Sequence, residues 1–296
     1  MKLEIRNIQK SFGKKEVLKG ISFTAEGGKA FGLLGRNGAG KTTTIRILMG
    51  VFPSDGGEVL IDSKPIDYGK IGIGYLPEER GLYPKKKIID QLTYLACLKG
   101  MKAKDAVVEI DKWLERLGMS EYRDKRLDTL SKGNQQKIQL ITALVHDPEI
   151  VILDEPFSGL DPVNAKLLKD VVKEEIQRGK IVLFSSHQMN YIEEFCDSIA
   201  IINGGKIVLS GDLQEIKRFH GRGRIEVRAQ NNDAILREYE MRNKKSENGS
   251  VIIDLVDGED KGTFMSEICE RYDVDMVKVY EPSLNDIFVE YAGKGE

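Results

Sequence analysis

The stretch AFGLLGRNGAGKTTTIRILMG, residues 30–50, passes from an apolar run through a glycine loop into a helical pattern. Ala30 to Leu34 is the kind of continuous apolar segment that forms a strand buried on both faces of a sheet. The loop that follows, Gly35, Arg36, Asn37, Gly38, Ala39, Gly40, Lys41 and Thr42, matches G-x-x-x-x-G-K-[ST] between that strand and the helix. Glycines let successive backbone N–H groups curl around a polyphosphate, and the amino end of the helix adds positive potential. Lys41 is placed to reach terminal phosphates and Thr42, with Thr43 beside it, to offer an oxygen to Mg²⁺.

Upstream of this loop, Leu3 to Ile8 and Ile21 to Ala25 alternate apolar with polar residues, as half-buried strands do. Downstream the character changes. From about Ile88 to His146 apolar residues recur at spacings of three and four (Leu92, Leu95, Ala96; Val107, Ile110, Leu114, Leu117), which predicts a separate helical lobe at about 84–149. Strand patterns then return at Ile150 to Leu153, Ile181 to Phe184 and Ile199 to Ile202, separated by helical segments, as in parallel strands joined by crossovers. The sheet is therefore expected to draw strands from both sides of the helical insertion. Around Gly221, Arg222 and Gly223 the pattern breaks, and the sequence predicts a domain boundary there, giving domains 1–220 and 221–296. The second alternates short strands (Arg224 to Arg228, Val251 to Leu255, Met276 to Tyr280) with helices, the last opened by Ser283 and Asp286 with a stripe of Leu284, Ile287, Phe288 and Tyr291.

Two further segments carry chemistry. The run Ile150 to Pro156, IVILDEP, is a strand ending in two carboxylates, and ligands of open parallel sheets sit at the carboxyl ends of strands. Asp154 is thus placed to hold hydrated Mg²⁺ and Glu155 to polarise an attacking water. Ser131 to Gln135, SKGNQ, precedes a helix with apolar Ile138, Ile141, Leu144 and Val145. A serine and a glycine at a helix amino end make an anion site, although an ordinary helix cap would account for Ser131 taken alone.

Bulk properties narrow the function classes. With 45 basic and 47 acidic residues the formal charge is −2, against the clustered positive field that nucleic acid or an acidic membrane surface requires. Cys97, Cys196 and Cys269 are too scattered for a disulfide framework or a zinc site, which suits a reducing cytoplasm. No apolar run reaches the roughly 18 residues of a membrane span, and MKLEIRNIQK lacks a signal peptide's apolar core. Work at a membrane would require another chain to do the spanning.

In this combination and order the segments resemble the ABC transporter ATPases. Gly35 to Thr42 resembles the Walker A loop, Leu130 to Gln135 the LSGGQ signature, Ile150 to Glu155 the Walker B strand, Ser158 to Asp161 the D-loop and His187 the switch histidine. The resemblance implies an α/β fold, a P-loop NTPase ABC ATPase cassette with a mixed sheet core and a helical lobe, followed by a small α+β C-terminal domain. It implies ATP and Mg²⁺ as cofactors, Lys41, Glu155 and His187 as catalytic groups, and Thr42, Asp154 and Glu78 around the metal. Phe12 would stack on adenine. Ser131, Gly133 and Asn134 of one subunit would meet the γ-phosphate held by Lys41 of a second copy in a head-to-tail dimer, with Asp161 at the interface.

Two departures from the family pattern are informative. Glu78, in YLPEERGLY, replaces the Q-loop glutamine; a carboxylate can accept from metal-bound water but adds negative charge near the γ-phosphate. Lys132 and Asn134 replace a Gly and a Gln of the signature. PEERGLY, LSKGNQQK and the close YEPSLNDIFV together are similar to the ATPases of ABC-2-type exporters related to the sodium-extrusion NatA group. That resemblance implies a peripheral subunit on the cytoplasmic face of the cell membrane, energising export of sodium or drugs through an ABC-2-type transmembrane permease, with no nucleic-acid partner. The lobe near Glu78 and the basic run Lys85 to Lys87 is the candidate docking surface, unless that run is simply a solvated face. Two alternatives stay open: a soluble ABC ATPase acting on the ribosome or nucleic acid, and a regulatory subunit in which Glu78 slows hydrolysis.

Overall fold

A computed structural model describes residues 1–79, 81–158, 160–186, 188–245, 249–256 and 258–293. The chain divides into two compact units, Met1–Gly211 together with the chain from Tyr291 onward, and Asp212–Glu290. In the first unit β1 (Lys2–Phe12), β2 (Lys15–Glu26) and β3 (Ala30–Leu34) lead through the glycine loop to α1 (Lys41–Leu48). Then come β4 (Gly56–Ile61), β5 (Lys64–Pro65) and β6 (Ile73–Leu76), and the lobe helices α2 (Ile88–Leu98), α3 (Ala103–Arg116) and α4 (Lys132–Leu144). The chain returns with β7 (Ile150–Asp154), α5 (Pro162–Gln177), β8 (Ile181–Ser185), α6 (Met189–Phe195), β9 (Ser198–Asn203) and β10 (Lys206–Asp212).

These strands form a six-stranded sheet, ordered β10-β9-β3-β8-β7-β6, and a four-stranded sheet, β2-β1-β4-β5. Every residue of β3, β7 and β8 is buried, which is why their sequences read as unbroken apolar runs. β1 and β2 pair antiparallel and alternate instead, burying Leu3, Ile5, Ile21 and Phe23. Those side chains pack with Ile45 and Leu48 of α1 and with Phe31, Ile152 and Leu183 of the parallel sheet in one core. Each such fully buried aliphatic side chain contributes about 1.5–3 kcal/mol.

The register of the parallel sheet positions the site. β3 and β7 flank β8, with Leu33 paired to Ser185 and Asp154 paired to Ser185. The carboxyl ends of these three strands therefore finish level, and the loops leaving them open onto one place. In the lobe, α3 buries Ile110 and Leu114 of the expected stripe, with Leu117 just beyond its end, while Ala106 is buried in place of Val107, which is half-buried.

The second unit begins earlier than the expected boundary at 220. Asp212 caps α7 (Leu213–Gly221), its Oδ1 accepting from Glu215 N at 2.9 Å, so the helix before the Gly221–Gly223 break opens the second unit. β11 (Arg224–Ala229), α8 (Asn232–Glu238), β12 (Asn243–Lys245), β13 (Val251–Asp254), α9 (Lys261–Arg271), β14 (Val274–Val279) and α10 (Leu284–Gly293) follow. The sheet, ordered β12-β13-β11-β14, is antiparallel throughout. It has its own core of Ile225, Val227, Ile235, Ile253, Phe264 and Ile268. α10 starts as its sequence predicts: Asp286 N donates to Ser283 Oγ at 3.1 Å while Ser283 N donates back to Asp286 Oδ2 at 3.2 Å. No helix among the described residues is long and apolar enough to cross a membrane.

Candidate active site

The glycine loop leaves β3 through Gly35, where a Cβ would lie 2.6 Å from the Ile202 carbonyl, so no side chain fits. Gly40 ends it at φ 119°, a left-handed conformation, with a Cβ position 2.5 Å from Leu18 Cδ2. Arg36, Asn37 and Gly38 form the exposed apex, and Ala39 turns inward, its N–H donating to Arg36 O at 3.1 Å. α1 then begins with neither a side-chain cap nor an acidic residue in its first turn. Its amino end is left with the positive potential of unpaired amides. Thr42 and Thr43 sit in that turn, Thr42 exposed. The Lys41 ammonium donates to Gly35 O at 2.6 Å and Arg36 O at 3.3 Å. Burial lowers its pKa, and Glu155, Asp154 and Glu78 act against that fall. Lys41 thus shares its surroundings with all three carboxylates.

Asp154 ends β7 and is buried. Burial raises its carboxyl above the usual range. The Ser185 hydroxyl, nearby but short of a well-formed hydrogen bond, pulls it back; Glu78 and Glu155 add to the rise and Lys41 opposes it. Tyr75, on β6, donates to Asp154 Oδ2 at 3.4 Å. Its phenol is pushed up to about 12, by burial first and then by the Asp154 charge. Glu155, also buried, takes the left-handed region at φ 49°. Its N–H donates to Ser185 O at 2.8 Å, and its Oε2 accepts from the Ser186 hydroxyl at 2.8 Å.

The serine-glycine segment forms a second cluster. Ser131 caps α4, its Oγ accepting from Asn134 N at 3.3 Å. Gly133 is buried, and a Cβ there would stand 3.0 Å from Asn164 Nδ2, so that side chain would have to give way. Asp161 caps α5, accepting from Val163 N and Asn164 N, each at 3.0 Å. None of Ser131, Gly133, Asn134 and Asp161 hydrogen-bonds to Lys41 or Asp154 among the described residues. Two glutamines tie the clusters together: Gln136 Nε2 donates to Pro156 O at 3.2 Å, and Gln139 Nε2 to Glu79 O at 3.3 Å. Phe12, at the end of β1, is half exposed and meets Phe52 edge-on at 5.7 Å. His187, Gly159 and Arg80 lie outside the described residues.

The site therefore gathers Lys41, Glu78, Asp154 and Glu155, and sets Ser131, Gly133, Asn134 and Asp161 apart. Nothing in the sequence marks Tyr75, Ser186, Gln136 or Gln139; each meets its partner only through the sheet register or the docking of α4.

A family model described as ABC transporter matches residues 18–158, and one described as ATP-binding protein DrrA1-3-like, C-terminal domain, matches residues 211–292. The uncharacterized ABC transporter ATP-binding protein YhaQ of Bacillus subtilis (strain 168) is 42% identical over 294 residues, covering 98% of each chain. The chain belongs to the ABC transporter ATP-binding proteins. This ABC ATPase is also similar to the linearmycin resistance ATP-binding protein LnrL of the same strain, at 35% identity over 72% of this chain and 70% of that one. A solved structure of an ATP binding subunit of an ABC transporter matches with a TM-score of 0.68 at 27% identity, over 75% of this chain and 94% of that one.

The residues of the ABC ATPase fit ATP: a loop whose Gly35 and Gly40 leave no room for side chains against the protein behind them, an uncapped helix end, and a lysine whose ammonium lies against the loop carbonyls. They also fit a magnesium ion. Asp154, Glu155 and Glu78 outnumber Lys41 by three carboxylates to one cation, an imbalance a divalent ion relieves. No group of three His, Cys, Asp or Glu among the described residues could hold a metal alone. Mg²⁺ is ordinarily held by one or two carboxylates with phosphate oxygens and water, so Asp154 beside a bound phosphate would suffice.

Proposed function

We propose that this ATPase works at Glu155 as a half-site of a head-to-tail dimer and energises export through an ABC-2-type membrane permease. The observation that carries it is the convergence of Lys41 with Asp154 and Glu155 at the level ends of β3 and β7. On this reading the Lys41 ammonium leaves the Gly35 and Arg36 carbonyls for the terminal phosphate. Loop amides of Gly38 and of Gly40 to Thr43 hold the remaining phosphate oxygens, and Phe12 stacks on the base. Mg²⁺, bound by Thr42 and Asp154 with Glu78 accepting from its water, would neutralise charge on the phosphates. Glu155 orients the attacking water and accepts its proton at a carboxylate oxygen. Ser131, Gly133 and Asn134 close on the γ-phosphate of a second copy, with Asp161 at the shared surface and His187 beside the phosphate.

Work with a membrane transporter is supported by membership in the ABC transporter ATP-binding proteins, and the exporter reading by the DrrA1-3-like C-terminal match and the similarity to a resistance ATP-binding protein. The central test is Glu155→Gln. The variant is expected to bind ATP, accumulate as a dimer in size-exclusion chromatography, and lose turnover by roughly 10²- to 10⁴-fold. Wild-type phosphate release from the variant would exclude Glu155 as the base. The transport half is tested by reconstituting the chain with the membrane protein that co-purifies with it and following ATP-dependent movement of sodium, drugs and lipids.

Glu78 supports a second reading, a slow regulatory subunit, because it places a third carboxylate in the electrostatic environment of Lys41. Persistent ATP binding without hydrolysis, with and without the membrane partner, would favour it.

A further inference from the structure

The Ser186 hydroxyl sits between two groups that together fix which way its proton points. Gln188 N donates to Ser186 Oγ at 3.0 Å, so the oxygen is already an acceptor. Its own proton then goes to Glu155 Oε2 at 2.8 Å. Both side chains are buried, at 2% and 5% exposure, where a hydrogen bond to a carboxylate is not diluted by water. The placement comes from the sheet: Asp154 pairs with Ser185, so the next residue of each strand, Glu155 and Ser186, leave β7 and β8 side by side.

We infer that Ser186 is a positioning residue for Glu155, holding one carboxylate oxygen and thereby the plane of the carboxylate. The inference rests on the proposed role of Glu155 as the group that takes the proton from water. Glu155 needs such a hold. Its backbone is in the left-handed region at φ 49°, outside the strand geometry that fixes Asp154, so the sheet alone does not set the direction of its side chain. A general base must stand within hydrogen-bond reach of the water in the correct orientation, and an error near 1 Å costs about 10²-fold in rate. Stability alone does not require this pair, since a buried hydrogen bond replaced by apolar groups of the same shape is nearly neutral.

The test compares Ser186→Ala, Ser186→Cys and Ser186→Thr in the full chain, with Glu155→Gln beside them, each normalised to ATP-binding stoichiometry. Alanine removes the donor; cysteine keeps the size but donates weakly; threonine keeps the hydroxyl. Ser186→Ala and Ser186→Cys are expected to lower kcat by roughly 10-fold while leaving KM for ATP and the binding stoichiometry unchanged, and Ser186→Thr to restore most of the rate. A merely structural serine would instead lower stoichiometry and rate together. A Ser186→Ala or Ser186→Cys protein with kcat within about twofold of wild type would overturn the inference. If Glu155→Gln itself retains turnover, it is the assignment of Glu155 that fails.

Discussion

His146 shows how one residue's surroundings become a property of the whole protein. Its Nε2 lies 3.3 Å from the Ile73 carbonyl while its buried Nδ1 has no hydrogen-bond partner among the described residues. Burial first, and then the charge on Lys99, lower its pKa from 6.5 to about 4. The unfolded chain therefore takes up this proton near pH 6.5 while the folded chain does not until about pH 4. The stabilisation is fully present above pH 6.5 and is lost as the pH falls towards 4. Between pH 7 and pH 5 the loss should be about 1–2 kcal/mol. Urea denaturation at the two pH values checks this: His146→Gln should lose less stability over the same interval, and an equal loss would show that other groups dominate. Glu155 illustrates the opposite economy. A left-handed non-glycine backbone costs on the order of 1–3 kcal/mol, and it is held by the Ser185 carbonyl and Ser158 N, which donates to Glu155 O at 3.2 Å.

At the scale of elements, α4 links the two clusters, and it does so through glutamines. The Gln136 side chain is buried and donates to Pro156 O, one residue beyond Glu155. Replacing it with Met keeps the volume but strands that carbonyl, and the expected cost is about 1–3 kcal/mol in the first unit's stability. Equilibrium denaturation monitored by Trp113 fluorescence measures it; a change near zero would mean that water reaches Pro156 O in the variant. Gln136 also marks where sequence reasoning stops. The strands β3, β7 and β8 are legible because burial on both faces writes an unbroken apolar run, and the glycine loop because close packing at Gly35 and a left-handed backbone at Gly40 call for glycine at those spacings. The helical lobe was legible from its spacing of three and four. The partners of Gln139 and Ser186 were not, because they lie 60 and 31 residues away and are brought near only by packing and register. The boundary at Gly211 is hidden in the sequence for a related reason. The Gly221–Gly223 break is conspicuous, whereas the Asp212 cap that opens α7 looks like any polar residue until the helix behind it is seen.

At the scale of the molecule, the two compact units each have a core of their own, one shared between the two sheets and α1, the other under β11 and β13. The proposed nucleotide site draws only on the first unit, so a ligand there should stabilise that unit selectively. At ATP concentrations near 100 times Kd the linkage is worth about 2.7 kcal/mol. Phe264 offers the complementary perturbation: it is 3% exposed, packs edge-on with Tyr239 at 5.6 Å, and truncation to Ala should remove about 3–5 kcal/mol from the second unit. Scanning calorimetry of the full chain should then show two separable effects. Adding ATP with Mg²⁺ should raise one transition, Phe264→Ala should lower the other, and ATP affinity should be unchanged by the substitution. If both perturbations move a single transition, or Phe264→Ala weakens ATP binding, the second unit is energetically part of the nucleotide-binding core. Its contribution would then have to be sought in ATP turnover itself.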